Sequence, residues 1–249
     1  MNRPALRWWL LGAVAYLVFL AATFPAQYLA DHMAKKLPGM QLDGVSGNLF
    51  AGSATAVRYQ GTPYGAVDWG FDWLAPLTLS FGYRIHLHAE DRDLRGRVDF
   101  GFNRIVLKDL EGRIPVSALN AVLPLPPDSM TGTLVPHLEQ VTIKSGRLTS
   151  AKGELDLDEA TLKWPAAATL GSFRALLAPA AEGIQAQLSD VASPFKLNGA
   201  LSLTPGGAYH LYGTLGARDP GDAATRNLLA GLGNPDSTGQ YPFDFKGQW

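Results

Sequence analysis

From residue 40 onward, apolar and polar side chains alternate in short runs broken by glycine, proline or aspartate. In "AVDWGFDW" Val67, Trp69, Phe71 and Trp73 share one side, while Asp68, Gly70 and Asp72 share the other. "RIHLHAE" sets Ile85, Leu87 and Ala89 against His86, His88 and Glu90, and "GRVDFGF" sets Val98, Phe100 and Phe102 against Asp99 and Gly101. "FKLNGALSLT" repeats the arrangement with Phe195, Leu197, Leu201 and Leu203. Successive side chains of a strand point to opposite faces, so this pattern predicts an antiparallel sheet with one apolar face. A glycine recurs before or inside each hydrophobic pair without a strict period, which points to a meander of strand-turn-strand units.

The first 30 residues read differently. No charged side chain occurs from Trp8 to Ala30, a run of 23 residues. About 20 apolar residues at about 1.5 Å rise span a bilayer, so the run predicts a transmembrane helix. Arg3 and Arg7 place its start in the cytoplasm, with Trp8, Trp9 and Tyr28 as interfacial anchors. A cleaved signal peptide is the competing reading, but the run outlasts the usual apolar core and Ala21-Ala22-Thr23 is a mediocre cleavage site. The expected organisation is therefore a cytoplasmic N-terminus and membrane helix over 1–30 and a periplasmic β domain over 31–249. In a bacterium this topology is single-pass in the inner membrane, with the C-terminal domain in the periplasm.

Three segments have helical spacing. "PVSALNAVL" has Pro115 at a first helical position with Val116, Leu119, Val122 and Leu123 on one face. Residues 166–180 and 222–233 are similar, with Gly233 as a stop for the last. All three read as plugs or caps on an open sheet end. "PLPPDS" at 124–129 is the best break between lobes, and no linker divides the domain.

Composition narrows the partners. With Gly 27, Pro 17 and charged residues at 17% of 249 residues, the chain is too apolar for disorder and suits many turns. Net charge is −1, and without Arg3 and Arg7 the remainder has 19 basic against 22 acidic residues, so nucleic acid is not an expected partner. No cysteine is present, which removes thiolate ligands, disulfides and cysteine nucleophiles.

Candidate chemistry is sparse. Gly47 and Gly52 in "VSGNLFAGSA" have the spacing of a phosphate-binding loop, but Ser53 stands where lysine is needed and the next segment reads as a strand. These glycines are expected to serve curvature, at bulges or where a backbone or bulky side chain comes close. His86 and His88 share a strand face, with Glu90 as a third metal-ligand candidate, yet a solvated polar face is the preferred reading and no metal or cofactor is expected. No G-x-S-x-G occurs, "LGSF" at 170–173 falls in the predicted helix, and Asp156 and Asp158 alternate outward together. Trp69, Trp73 and Trp164 could line a groove, with core packing as the default. No catalytic residue is assigned and the chain is not expected to be an enzyme.

A set of motifs in order carries a resemblance. After the leader ending in "FPA" come "LDGVSGNLFAGSA", "VDWGFDWLAPLTLSFGYRIHL", "LKDLEGRIPVSAL", "GTLVPHLEQV", "FKLNGALSLTPGGAYHLYGTLGARD" and "LLAGLGNPDSTGQYPFDFKGQW". Their order and spacing resemble the protein N family of bacterial type II secretion systems over nearly the whole chain. The resemblance implies an inner-membrane accessory component with one membrane helix, a periplasmic domain and no catalytic residues, working with other inner-membrane platform proteins of the system. The periplasmic part is also similar in pattern to AsmA-like proteins, which implies a curved, glycine-rich sheet forming an open groove or half-barrel. Two functions follow as expectations: a scaffold for the secretion machinery, or, alternatively, an envelope protein holding lipid or acyl chains in a hydrophobic groove.

Overall fold

The structure is a computed structural model that describes residues 8, 9, 12, 16, 25–27, 39–72, 81–119, 129–163 and 167–248. Fourteen strands form one antiparallel sheet: β1 (Met40–Asp43), β2 (Ser46–Gly47), β3 (Ala51–Tyr59), β4 (Thr62–Asp72), β5 (Phe81–Ala89), β6 (Arg92–Phe100), β7 (Arg104–Pro115), β8 (Met130–Lys144), β9 (Arg147–Leu162), β10 (Ala168–Ala180), β11 (Gly183–Ala192), β12 (Phe195–Leu203), β13 (Ala208–Ala217) and β14 (Tyr241–Gln248). The order across the sheet is β1-β3-β4 and then strictly sequential to β14, with β2 also on β3. The predicted meander is therefore present, and among the described residues the sheet runs from β1 at one edge to β14 at the other.

Register confirms the alternation. Leu110, Leu138, Gly153, Leu177, Ala186, Leu201, Leu211 and Phe245 are successive cross-strand partners from β7 to β14, an apolar row on one face. The neighbouring row on the other face runs Glu154, Leu176, Gln187, Ala200, Tyr212 and Asp244. The second face is thus polar only in part: Leu176 and Tyr212 stand exposed on it. Toward β5, Phe50, Phe71, Tyr83 and Phe100 form an edge-to-face chain with ring centroids 5.2, 5.4 and 6.0 Å apart.

The sheet bends. Adjacent strands lie about 4.8 Å apart, so second neighbours in a flat sheet would be about 9.6 Å apart. Cα atoms of β9 and β11 nevertheless come within 8 Å of each other across β10. The register of β10 also shifts against both neighbours near Gly171 and Ser172. Gly171 has φ +85°, and the Ser193 hydroxyl donates to the Leu170 carbonyl at 2.6 Å, tying β10 to the segment that leads into β12. Val141, Ala151 and Ile184 form one buried cluster although they lie on β8, β9 and β11, with Leu107, Leu138, Leu148, Leu177 and Leu203 packed around them. Bulges at Asp109 and Glu159, both with positive φ, increase the local twist.

The helical segments depart from expectation. Residues 166–180 do not form a helix: Ala168–Ala180 is strand β10. Alanine and leucine favour helix there, but pairing with β9 and β11 along the strand outweighs propensity, and Pro179 would break a helical interior. Pro115 ends β7 instead of opening a helix, and a short 3₁₀ turn, Val116–Leu119, follows it. The rest of that predicted helix, 120–123, and the break at 124–128 lie outside the described residues. The third segment is helical: α1 (Ala223–Ala230) packs on β13, buries Leu229 and has Thr225 donating to Asp222 at 2.5 Å, with Gly233 past its end at φ +122°.

Ahead of β14, Asp236 Oδ1 accepts from the Thr238 hydroxyl and amide, both at 2.7 Å, and from the Gln240 amide at 3.0 Å. The Thr238 hydroxyl, followed by the Gln240 and Thr238 amides, holds the Asp236 carboxyl below its ordinary value. A carboxyl depressed in the folded state contributes stability above its unfolded pKa of about 3.9 and loses it as pH falls through the folded value. Acidification below about pH 4 is therefore expected to loosen the turn into β14, seen as faster amide exchange at residues 238–240, and Asp236→Asn should remove that acid dependence.

The membrane helix expected over 8–30 lies largely outside the described residues. Among the described residues no helix is long and apolar enough to cross a membrane.

Candidate functional site

The stretch "VSGNLFAGSA" folds as a hairpin. Gly47 pairs with Gly52 and Ser46 with Ser53, whose hydroxyls are 2.9 Å apart, and Asn48 Oδ1 accepts the Phe50 and Ala51 amides at 2.9 Å each. A Cβ on Gly52 would stand 2.4 Å from the Trp69 ring, and one on Gly47, at φ +90°, would stand 2.4 Å from the Ala51 carbonyl oxygen. The glycines admit a bulky ring and a close backbone, as their sequence context predicts. Trp69 donates its ring N–H to the Asn48 carbonyl at 3.2 Å and so locks the hairpin. Trp73 and Trp164 lie outside the described residues. Pro25 forms a β-bridge with Asn48, and Ala26 beside it is buried, so the end of the leader is fastened to the β1–β3 edge.

The densest polar cluster lies on β4, β5 and β6. Register sets Asp68 opposite His86 and His86 opposite Arg95, with His88 opposite Asp93. His86 Nε2 is 3.3 Å from Asp93 Oδ2, and Arg95 grips Asp93 through Nε at 3.1 Å and Nη2 at 3.2 Å. Desolvation opposes ionisation of Asp93, but the His86 and Arg95 hydrogen bonds prevail and hold its carboxyl below the ordinary value. Arg97 pairs with Asp72 at 3.2 Å, and Lys108 with the buried Asp99 at 2.8 Å. An open depression of about 690 Å³ lies over the cluster, with Asp68, Arg84, His86, Arg95 and Arg97 in its lining. Glu90, the sequence candidate for a third ligand beside His86 and His88, lies in the turn after β5; Asp68 takes that place.

Other sequence candidates are accounted for individually. Asp156 forms a bidentate pair with Arg174 at 2.8 and 3.0 Å, and Glu154 joins it at 2.8 Å, so that carboxylate secures the β9–β10 ladder. Trp8 and Trp9 are helical and exposed, at 75% and 80%. Arg3, Arg7 and Tyr28 lie outside the described residues.

The two sheet edges complete the candidate surface. Among the described residues β14 pairs with β13 alone, and it carries Phe243 and Phe245 stacked at 6.1 Å, with Phe245 half exposed. Sequence alternation hinted at such a strand but not at its place on an edge.

A family profile described as type II secretion system (T2SS), protein N, matches residues 38–244, which take in the whole of the sheet but its last few residues. The chain belongs to the type II secretion system protein N family. It is similar to the type II secretion system protein N of Aeromonas hydrophila, 27% identical over 94% of this chain and 95% of the relative. The Klebsiella pneumoniae protein N is 27% identical over 96% and 94%, and that of Vibrio cholerae 26% over 99% of each. No solved structure matches. The family relation thus rests on sequence along the whole sheet rather than on a signature at any one site.

Proposed function

We propose that this protein N is a non-catalytic scaffold of the type II secretion apparatus, held in the inner membrane by one helix drawn from residues 1–30, with residues 31–249 in the periplasm. Family membership assigns the chain to type II secretion. The uncharged run from Trp8 to Ala30 behind Arg3 and Arg7 supports the membrane anchor.

The observation that carries the scaffold role is the open, sequential sheet. A free edge presents unpaired backbone N–H and C=O groups to which another protein can add a strand. The Pro25–Asn48 bridge fastens the β1–β3 edge near the leader. Twelve ladder steps separate β1 from β14, a contour of about 58 Å. The β14 edge is then the one presented to other inner-membrane platform proteins, with Phe245 available as an apolar contact.

Photo-crosslinking side chains placed in the full chain at Phe245 and Lys246, and at Gln41 on β1 for comparison, test this in cells carrying the secretion system. The expected result is adducts with other secretion proteins from β14 and few from β1. Adducts with lipid alone, or none from either edge, would overturn the scaffold. A reporter active only in the periplasm, fused after Lys35, is expected to be active, and an inactive fusion in intact cells would remove the topology.

A further inference from the structure

We propose that Asp68, His86 and His88 form a surface site for one borderline divalent transition-metal ion of the zinc and copper class. The inference is independent of the scaffold reading, because it stands on the register of two strands. Pairing of Asp68 with His86 sets the carboxylate beside the first imidazole, and the two-residue step to His88 keeps the second on the same face. One ligand atom from each of the three lies within 4.8 Å of the others, and the two imidazole rings are 4.8 Å apart at 37°.

Two details point to an ion rather than to a merely solvated patch. His88 Nδ1 is closed off from solvent and has no hydrogen-bond partner, and the nearest carboxylate oxygen, Asp68 Oδ2, is 3.6 Å away. That is too long for a hydrogen bond and close to the roughly 3.4 Å between two ligands of a tetrahedral ion with bonds of about 2.1 Å. In addition, Asp93 engages the outer nitrogen of His86 at 3.3 Å and is itself held by Arg95 at 3.1 Å. A carboxylate on one imidazole nitrogen fixes the ring and leaves the other nitrogen for a metal. The site thus has three ligands and an orienting group behind one of them.

Donor chemistry selects the ion. Two imidazoles and one carboxylate suit Zn²⁺, Cu²⁺ or Ni²⁺, whereas Mg²⁺ and Ca²⁺ require shells of oxygen. Arg95 and Arg97 are engaged by Asp93 and Asp72, which leaves the charge of Asp68 for the cation. Arg84, two residues before His86 on the same strand, repels every cation alike, so the choice among ions rests on the ligand atoms. All three ligand side chains are partly exposed, so they can draw in from 4.8 Å to bonding separation by side-chain rotation.

The full-length chain in detergent, titrated calorimetrically with ZnCl₂ and CuCl₂, is expected to bind one ion per chain in the micromolar range and to ignore MgCl₂ and CaCl₂. His86→Gln, His88→Gln and Asp68→Asn should each weaken binding more than tenfold, and Asp93→Asn about tenfold by loosening His86. Glu90→Gln and His210→Gln should leave it unchanged. Broadening of β4 and β5 amide resonances by Cu²⁺ in the unaltered protein supplies a readout that needs no variant. Absence of stoichiometric binding at 1 mM Zn²⁺, binding unaffected by His86→Gln and His88→Gln, or broadening centred elsewhere would overturn the site.

Discussion

Gly112→Ala is expected to destabilise the protein by about 3 kcal/mol, the sum of a left-handed backbone penalty of about 1 kcal/mol and overpacking of about 2 kcal/mol. Gly112 has φ +139°, and an added Cβ would fall 1.9 Å from the Asp93 carbonyl oxygen and 3.0 Å from Leu94 Cα. Neither atom belongs to a side chain that could rotate away. Both lie in the β6–β7 ladder next to the Arg95/Arg97 register shift, so relief would require breaking the pairing itself. Gly70→Ala is the matched control, since Gly70 has ordinary backbone geometry and nothing within 4 Å of an added Cβ. Denaturant unfolding of both variants measures the difference; a cost below about 1 kcal/mol at Gly112 would mean that the ladder yields without penalty.

Ile184→Ala is expected to cost about 3 kcal/mol, and Ile184→Val about 1 kcal/mol, in the same measurement. Ile184 is 2% exposed and joins Val141 and Ala151 in one cluster, with leucines from β7 to β12 packed around it. In a flat sheet β8 and β11 would be about 14 Å apart, too far for those side chains to meet. The cluster therefore fills the inside of the bend, where the flanking strands are held open by their own pairing and cannot collapse onto a cavity. A cost near 1 kcal/mol for the alanine variant would show the bend to be soft. Such a result would argue against the cluster as the element that maintains the curve.

The strands could be read from period-two alternation because successive side chains of β4, β5 and β6 point to opposite faces, even where, as at the buried Asp99 and the exposed Phe100, burial does not follow polarity. The close-approach role of Gly47 and Gly52 was readable for a related reason, since Ser53 lacks the chemistry of the rival motif and β-branched residues follow it. Residues 168–180 misled because Leu170, Phe173, Leu176 and Leu177 fit helical spacing as well as they fit a strand. The decisive facts, Arg174 facing Asp156 and the register shift at Gly171, belong to pairing. Asp68 was missed beside His86 and His88 for the same reason. Local spacing suggests Glu90 on the same strand, whereas the carboxylate that approaches comes from the strand before, and only register reveals it.

The uninterrupted order of the ladder from β3 to β14 bears on how the chain acquires its shape. Each new strand, as it leaves the ribosome or a translocation channel, finds its partner already emerged and waiting. No segment must be stored until a distant one arrives. A polypeptide delivered end-first in extended form can thus assemble as it comes, adding one hairpin arm at a time, and a stalled or shortened product would keep whatever portion had already zipped.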